Sequence, residues 1–208
     1  TENTALGITQ ASNVSFIICT APLLTTILSL LFYKSEKASK GLIYGSLLAL
    51  MGVGLIVFNG SFVLKISPIG DLLTLLAALS WAFYSLIIKK MAGRYPTVFI
   101  TRKIFFYGVL TILPAFLLHP LQPDTAVLLQ PAVLFNLLFL AVLASLICYV
   151  LWNVVLKQLG TVRASNYIYL NPLVTMIASF LILDEKITLV ALGGAACIVC
   201  GVYWAEKK

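Results

Sequence analysis

Long apolar runs separated by short polar segments dominate the pattern of this chain. Seven runs can be distinguished, and each is near the roughly 20 residues that a helix needs to cross the hydrocarbon core of a bilayer. None of them carries Asp, Glu or Lys near its centre. The pattern predicts seven transmembrane helices, called spans 1 to 7, at residues 11–33, 41–58, 70–88, 98–118, 132–155, 164–183 and 187–204.

Part of this pattern occurs twice. Ala-Ser-Asn and then Pro-Leu-X-Thr-X-Ile follow from Ala11 and again from Ala164, at an offset of 149 or 150 residues after a three-residue slip. The match continues through Glu36 and Glu185, Gly45 and Gly194, and Gly52 and Gly201. A fixed offset indicates an internal duplication. Because five spans lie in one period, the second copy is inverted relative to the first, which is typical of secondary transporters.

The repeat predicts the organisation of the chain. Residues 1–60 hold the last two helices of a first copy, and residues 68–208 hold a complete second copy of five helices. The chain begins at Thr1 without methionine or the basic start of a signal peptide. We therefore expect a fragment of an all-α polytopic bundle built as an inverted repeat of five-helix units, with its first three helices absent.

Composition and charge support a membrane location. Hydrophobic residues make up 61% of the chain and charged residues 10%, and the mean hydropathy is +1.05, which excludes a soluble globular domain. The net charge of +7 could suggest nucleic acid. However, all of the 14 Lys and Arg except Lys65 and Lys186 fall on one side when the loops are assigned alternately. This positive-inside pattern predicts a multi-pass protein of the cell (inner) membrane, with a cytoplasmic C-terminus and no nucleic-acid partner.

The residues of metal and redox chemistry form no recognisable site. Cys19, Cys148, Cys197 and Cys200 all lie in apolar spans, where cysteine is usually a small buried hydrophobe. The last two have CxxC spacing but no nearby His or charge to activate a thiol. The single histidine, His119, lies in a proline-rich loop without a partner motif. We expect no catalytic residue, no metal and no cofactor.

Polar and aromatic residues inside the spans are the candidates for a substrate pathway, because amides are disfavoured in lipid and usually face the bundle interior. The candidates are Asn13, Ser80, Trp81, Tyr84, Tyr149, Trp152, Asn153, Asn166, Tyr169 and Asn171. Pro22 and Pro172 are predicted to kink spans 1 and 6 near the middle of the membrane. The alternative is that these polar groups only bond helix to helix, and that the aromatics are core or interface residues. The glycines of spans 2 and 7 predict close helix packing.

Several blocks resemble the EamA-like family of the drug/metabolite transporter superfamily. They are Gly70 to Leu73, Ala78 to Ala82, Tyr149 to Trp152, Asn171 to Leu173, and the stretch from Asp184 to Tyr203. The resemblance covers essentially the whole chain. It implies a ten-helix carrier that exports or exchanges small metabolites by alternating access, with a central cavity lined by spans 1, 3, 5 and 6.

The function predicted is a secondary transporter, an exporter or exchanger of small polar metabolites, amino acids among them, or of drugs. Asn13 and Asn166, matched by the repeat, would then act as gates near opposite membrane faces. The expected partners are a small-molecule substrate and the lipid bilayer, and the oligomeric state stays open, with a homodimer as one option. One alternative is a membrane enzyme acting on lipid or prenyl substrates, which would need clustered carboxylates or histidines. Another is a seven-helix receptor, which leaves the repeat unexplained.

Overall fold

The computed structural model describes residues 2–9, 11–33, 39–58, 67–118, 125–183 and 187–207. Within these ranges all regular structure is helical, and seven spans are long and apolar enough to cross a membrane. The prediction of an all-α polytopic membrane protein is therefore confirmed. The spans run over Ser12–Phe32, Lys40–Phe58, Pro68–Ala92, Thr97–Pro114, Pro131–Leu159, Thr161–Ile182 and Leu189–Glu206. His119 and the turn Asp184 to Lys186 lie outside the described residues.

The described part of the chain contains twelve α-helices. They are α1 (Glu2–Leu6), α2 (Ala11–Ile18), α3 (Ala21–Phe32), α4 (Lys40–Phe58), α5 (Pro68–Ala92), α6 (Thr97–Leu118), α7 (Thr125–Leu128), α8 (Pro131–Leu138), α9 (Cys148–Leu159), α10 (Thr161–Asn166), α11 (Asn171–Leu183) and α12 (Leu189–Glu206). All but α1 and α7 belong to the spans. A π-helix over Phe139–Ile147 joins α8 to α9. A 3-10 turn over Tyr167–Leu170 joins α10 to α11.

The chain divides into two compact units. The first consists of Thr1–Ile87 and Leu159–Lys208, and the second of Ile88–Gln158. The first unit contains α4 and α12, which pack antiparallel. Its two ends are named from α4: the Lys40 end, where α4 begins and α12 ends, and the Phe58 end, where α4 ends and α12 begins.

Glycines let α4 and α12 approach backbone to backbone. A Cβ added to Gly52 would lie 2.5 Å from the carbonyl oxygen of Gly194, and one added to Gly194 would lie 2.7 Å from the carbonyl oxygen of Gly52. Real Cβ atoms essentially never come this close to a backbone atom, so any larger residue would force the helices apart. Close approach through glycine is a general device of helix packing in membranes.

A second pair of glycines repeats this contact in the opposite sense. A Cβ added to Gly201 would lie 2.5 Å from the carbonyl oxygen of Gly45. The sequence repeat relates Gly45 to Gly194 and Gly52 to Gly201. The contact of Gly45 with Gly201 is therefore the equivalent, in the repeat, of the contact of Gly194 with Gly52. Such reciprocity, in which residue i meets j and the equivalent of j meets the equivalent of i, is the contact pattern of a two-fold axis.

Tyr169 belongs to the apolar core that includes residues of this helix pair. Its side chain is fully buried and belongs to a cluster contributed by spans 1, 2, 6 and 7. The other members are Cys19, Ala49, Val53, Ile198 and Val202. Large apolar side chains elsewhere face outward, for example Leu181, Ile182 and Leu189, which are 70, 78 and 86% exposed. An apolar surface of this extent is suited to lipid and not to water.

Candidate solute cavity

Spans 1 and 6 are both interrupted next to their prolines. In span 1, α2 ends at Ile18, the chain turns, and α3 begins at Ala21 with Pro22 in its first turn. In span 6, the 3-10 turn precedes α11, in which Pro172 is the second residue. Proline has no backbone N–H, so it is tolerated in the first turn of a helix, where that donor would be unpaired anyway. Each proline thus starts the second half of a broken span.

A cavity of about 520 Å³, the main cavity, lies at the Phe58 end of the first unit. It is bounded by α2 and α11, which are the halves of spans 1 and 6 nearer the Phe58 end. The adjoining ends of α4 and α12 complete the boundary. Its polar lining is Ser12, Ser15, Asn171, Thr175 and Ser179. The remaining described lining is apolar or cysteine, and no charged side chain is among the described lining residues.

The chemistry of this lining is that of neutral hydrogen bonding. Hydroxyl groups donate one hydrogen bond and accept others, and the amide of Asn171 does both. The cavity volume falls within the usual range for small-molecule sites, which combine mostly apolar walls with a few placed polar groups. The arrangement can therefore hold a small solute that carries both donors and acceptors.

The structure brings one of the predicted pathway residues, Asn171, to the main cavity. Asn166 is buried, and its Oδ1 accepts a hydrogen bond from the Ser46 hydroxyl on α4 at 3.4 Å. Tyr169 lies in the core cluster described above. Asn13 is also buried, between cavity-lining neighbours on α2.

The predicted residues of α5 form a separate group. The Ser80 hydroxyl is exposed and donates to the backbone carbonyl of Leu76 at 2.7 Å. The rings of Trp81 and Tyr84 are tilted against each other, with centroids 5.4 Å apart. None of the three lines the main cavity.

The predicted residues of α9 lie in the second unit. Asn153 is buried, and its Nδ2 donates to the Oγ1 of Thr101 on α6 at 2.9 Å. The Tyr149 ring meets Phe105 edge to face, with centroids 5.6 Å apart. Trp152 is partly buried. These contacts join α6 to α9.

Four hydroxyl residues of the main cavity were not predicted from the sequence: Ser12, Ser15, Thr175 and Ser179. A signal for two of them was present, because Thr175 and Ser179 repeat Thr25 and Ser29 at the same four-residue spacing. In the described part of the chain, no group of three or more His, Cys, Asp or Glu lies close enough to hold a metal ion.

Comparison with known proteins identifies the family. The model of the EamA-like transporter family matches residues 68–205. The chain belongs to the EamA-like transporter family. It is therefore an integral, multi-pass membrane protein, with the seven apolar helices already described.

Individual relatives agree with this assignment, and one solved structure has the same fold. An uncharacterized transporter of Archaeoglobus fulgidus is 30% identical over 98% of this chain and 70% of its own length. A protein of Escherichia coli K12 named "Probable amino-acid metabolite efflux pump" is 24% identical over 96% of this chain and 69% of its own. Its namesake in Salmonella typhimurium is 29% identical over 83% of this chain and 60% of its own. A crystal structure with 17% identity matches 99% of this chain and 70% of that chain with a TM-score of 0.84, which shows the same fold.

Proposed function

We propose that this chain carries the solute site of a secondary transporter, which moves small polar metabolites, amino acids among them, across the membrane by alternating access. The observation that carries the proposal is the main cavity, a space between two broken spans whose mostly apolar lining includes five hydrogen-bonding side chains. Transporters commonly bind their substrates at the interface of inverted repeats, beside discontinuous helices. The names of the two efflux pumps support amino acids as the first substrates to test.

The breaks supply the mechanical part of this proposal. The turn before Ala21 and the 3-10 turn Tyr167–Leu170 are the points at which the α-helix of each span is interrupted. Half-helices joined at such points can move relative to each other while the rest of each span stays packed. The hydrogen bond from Ser46 to Asn166 and the burial of Tyr169 hold α10 and the 3-10 turn against α4 and α12. In this proposal Asn166 and Tyr169 position the broken span, and Asn171 contacts the solute.

The proposal includes an orientation. The Lys40 end faces the cytoplasm, following the distribution of Lys and Arg, and the main cavity opens toward the opposite face of the cell inner membrane. The predicted residues of α5 and α9 stay predictions of a longer pathway beyond the main cavity. A transporter, and not an enzyme, is the function that this set of hydrogen-bonding groups serves best.

Counterflow in proteoliposomes tests the proposal. Vesicles that contain the full-length protein are loaded in turn with amino acids, nucleosides, sugars and cationic drugs, with and without a proton gradient. Saturable exchange of amino acids is the expected result. Saturable exchange of another class alone would remove amino acids from the proposal, and no exchange by folded protein would contradict transport itself.

Two substitutions connect transport to the main cavity. Thr175→Val and Ser179→Ala each remove one hydroxyl and should raise KM by about 2- to 10-fold, the effect of losing one neutral hydrogen bond. Thr111→Val on α6 is the matched control, because its exposed hydroxyl donates only to the Gly108 carbonyl of its own helix, at 3.0 Å. Unchanged KM in both cavity variants would show that the solute binds elsewhere.

A further inference from the structure

A second cavity, the small cavity, lies at the Lys40 end of the first unit. Its volume is about 270 Å³, and it is lined by the end of α3, the start of α4, the end of α9, the start of α10 and the end of α12. Four of these elements, α3, α4, α10 and α12, correspond in the repeat to α11, α12, α2 and α4 around the main cavity. The two cavities thus lie at opposite ends of the α4 and α12 pair.

The correspondence holds at the level of single residues. At an offset of 149, the repeat relates residues of α4 to residues of α12, and three such pairs have one member in each cavity. These pairs are Leu42 and Ala191, Ala205 and Ile56, and Glu206 and Val57. The offset of 150 adds Thr26 and Met176. The small cavity is therefore the repeat equivalent of the main cavity.

The two cavities differ in how far equivalent hydroxyl residues are buried. Thr175 is exposed in the main cavity, whereas its equivalent Thr25 is fully buried where α3 packs against α10. Ser12 lines the main cavity, whereas its equivalent Ser165 is fully buried. The hydroxyl oxygens of Thr25 and Ser165 have no hydrogen-bond partner among the described residues. The small cavity is thus the narrower counterpart of the main cavity, with about half its volume.

One buried hydroxyl faces the small cavity itself. Thr161 is fully buried, lines the small cavity, and its Oγ1 has no hydrogen-bond partner in the described part of the chain. Leaving a buried hydroxyl unpaired is unfavourable, so each such group in a folded protein calls for an explanation. A polar solute in the small cavity would supply the missing partner.

Charge is the second difference between the cavities. Glu206 occupies the position that Val57 occupies in the main cavity, and its Oε1 is shielded from solvent without a hydrogen-bond partner among the described residues. Arg163 and Lys207 also line the small cavity. A carboxylate and a guanidinium in one pocket can bind an ammonium and a carboxylate through charge-assisted hydrogen bonds, which are stronger than neutral ones.

We propose that the small cavity is a second solute site, which binds a small zwitterion by its ammonium group at Glu206 and by its carboxylate at Arg163. This inference rests on the proposed transport function and adds charge recognition to it. The main cavity then recognises the solute by neutral hydrogen bonds, and the small cavity recognises its two charges from the other side of the membrane.

The test compares transport kinetics from the two membrane faces, with the full-length protein in inside-out and right-side-out vesicles. The probe is the amino acid that wild type exchanges best. Glu206→Gln and Arg163→Gln should each raise KM about tenfold or more from the face at the Lys40 end. From the opposite face KM should stay at the wild-type value. Lys157→Gln, an exposed change in the last turn of α9, is the control for a general effect of lost charge.

Substrate analogues separate recognition from a structural effect. An analogue without the carboxylate should be insensitive to Arg163→Gln, and an analogue without the ammonium should be insensitive to Glu206→Gln. Wild-type KM from both faces in both variants, or equal sensitivity for all analogues, would overturn the proposal. These outcomes require that wild type transports, so they overturn the second site and leave the transport function standing. If wild type exchanges none of the compounds, the transport function itself fails, and this inference fails with it.

Discussion

The contact between Gly194 and Gly52 provides a quantitative test of the packing of α4 and α12. A Cβ added by Gly194→Ala would lie 2.7 Å from the carbonyl oxygen of Gly52, about 0.7 Å short of the 3.4 Å at which ordinary contact begins. The obstacle is backbone, so the helices must separate. A gap of 0.5–1 Å forfeits roughly a quarter to a half of the dispersion energy of each affected atom pair. We expect a loss of about 1–3 kcal/mol, as in other overpacked cores.

The adjacent residue is a matched control. A Cβ on Gly193 meets nothing within 4 Å, so Gly193→Ala makes the same chemical change on the same helix without a clash. Its effect should be neutral or slightly stabilising, because alanine is the better helix former. The free energy of unfolding of the full-length protein in mixed micelles, titrated with a denaturing detergent, measures the difference. Equal stabilities of the two variants would refute the close-packing argument.

A double variant extends this test. Gly52→Ala alone should also be destabilising, since its Cβ would lie 2.5 Å from the Gly194 carbonyl oxygen. Once one alanine has separated the helices, the second costs less, so the two losses should be less than additive. Strict additivity would mean that the two glycines do not share one contact.

Two further predictions concern other parts of the chain. Asn153→Ala removes the amide whose Nδ2 donates to the Oγ1 of Thr101, and it should lower the unfolding free energy by about 1–3 kcal/mol. An unfolding free energy equal to that of wild type would contradict this. Gly160 has a φ of +80°, so Gly160→Ala should lower the unfolding free energy by about 1–3 kcal/mol. Gly93→Ala, at an open site without positive φ, should leave the unfolding free energy unchanged. Equal unfolding free energies for these two glycine variants would count against the backbone argument.

The architecture of this chain is well predicted from its sequence, because the bilayer imposes simple rules. Length and apolarity define all seven spans. The structure extends span 3 from 70–88 to Pro68–Ala92 and span 5 from 132–155 to Pro131–Leu159. The close packing of spans 2 and 7 follows from glycine spacing. Their reciprocal contacts follow from the repeat, although the sequence alone does not show which glycine meets which.

The lining of the cavity is less predictable, because it depends on the angle at which each side chain leaves the helix axis. Between α10 and α11 the chain forms a 3-10 turn, with 3.0 residues per turn instead of 3.6. The change in angular spacing contributes to Tyr169 lying in the core while Asn171, two residues later, lines the cavity. The π-helix Phe139–Ile147 shifts the faces of span 5 in a similar way. Pro172 marks the position of the 3-10 turn, whereas the π-helix occurs inside an apolar run that carries no sequence signal for it.

Polarity alone also does not distinguish a pathway residue from a structural one. Asn166 is an amide inside a span, as a binding residue would be, but its Oδ1 accepts the hydrogen bond from Ser46. Small hydroxyl residues such as Ser15 and Thr175 are common in membrane helices, so the pattern does not single them out. They are identified only when α2 and α11 are seen to leave a cavity between them.

The reciprocal glycine contacts have a consequence for how such a chain could arise. In each contact one glycine comes from each copy of the repeat, so α4 and α12 present the same self-complementary patch to each other. A shorter ancestor with a single copy would have presented that patch to a second molecule inserted upside down, and the pair would have formed a symmetric dimer. Gene fusion then needs no new interface. It only makes an existing one permanent, and afterwards the two halves are free to diverge, as Glu206 and Val57 have done.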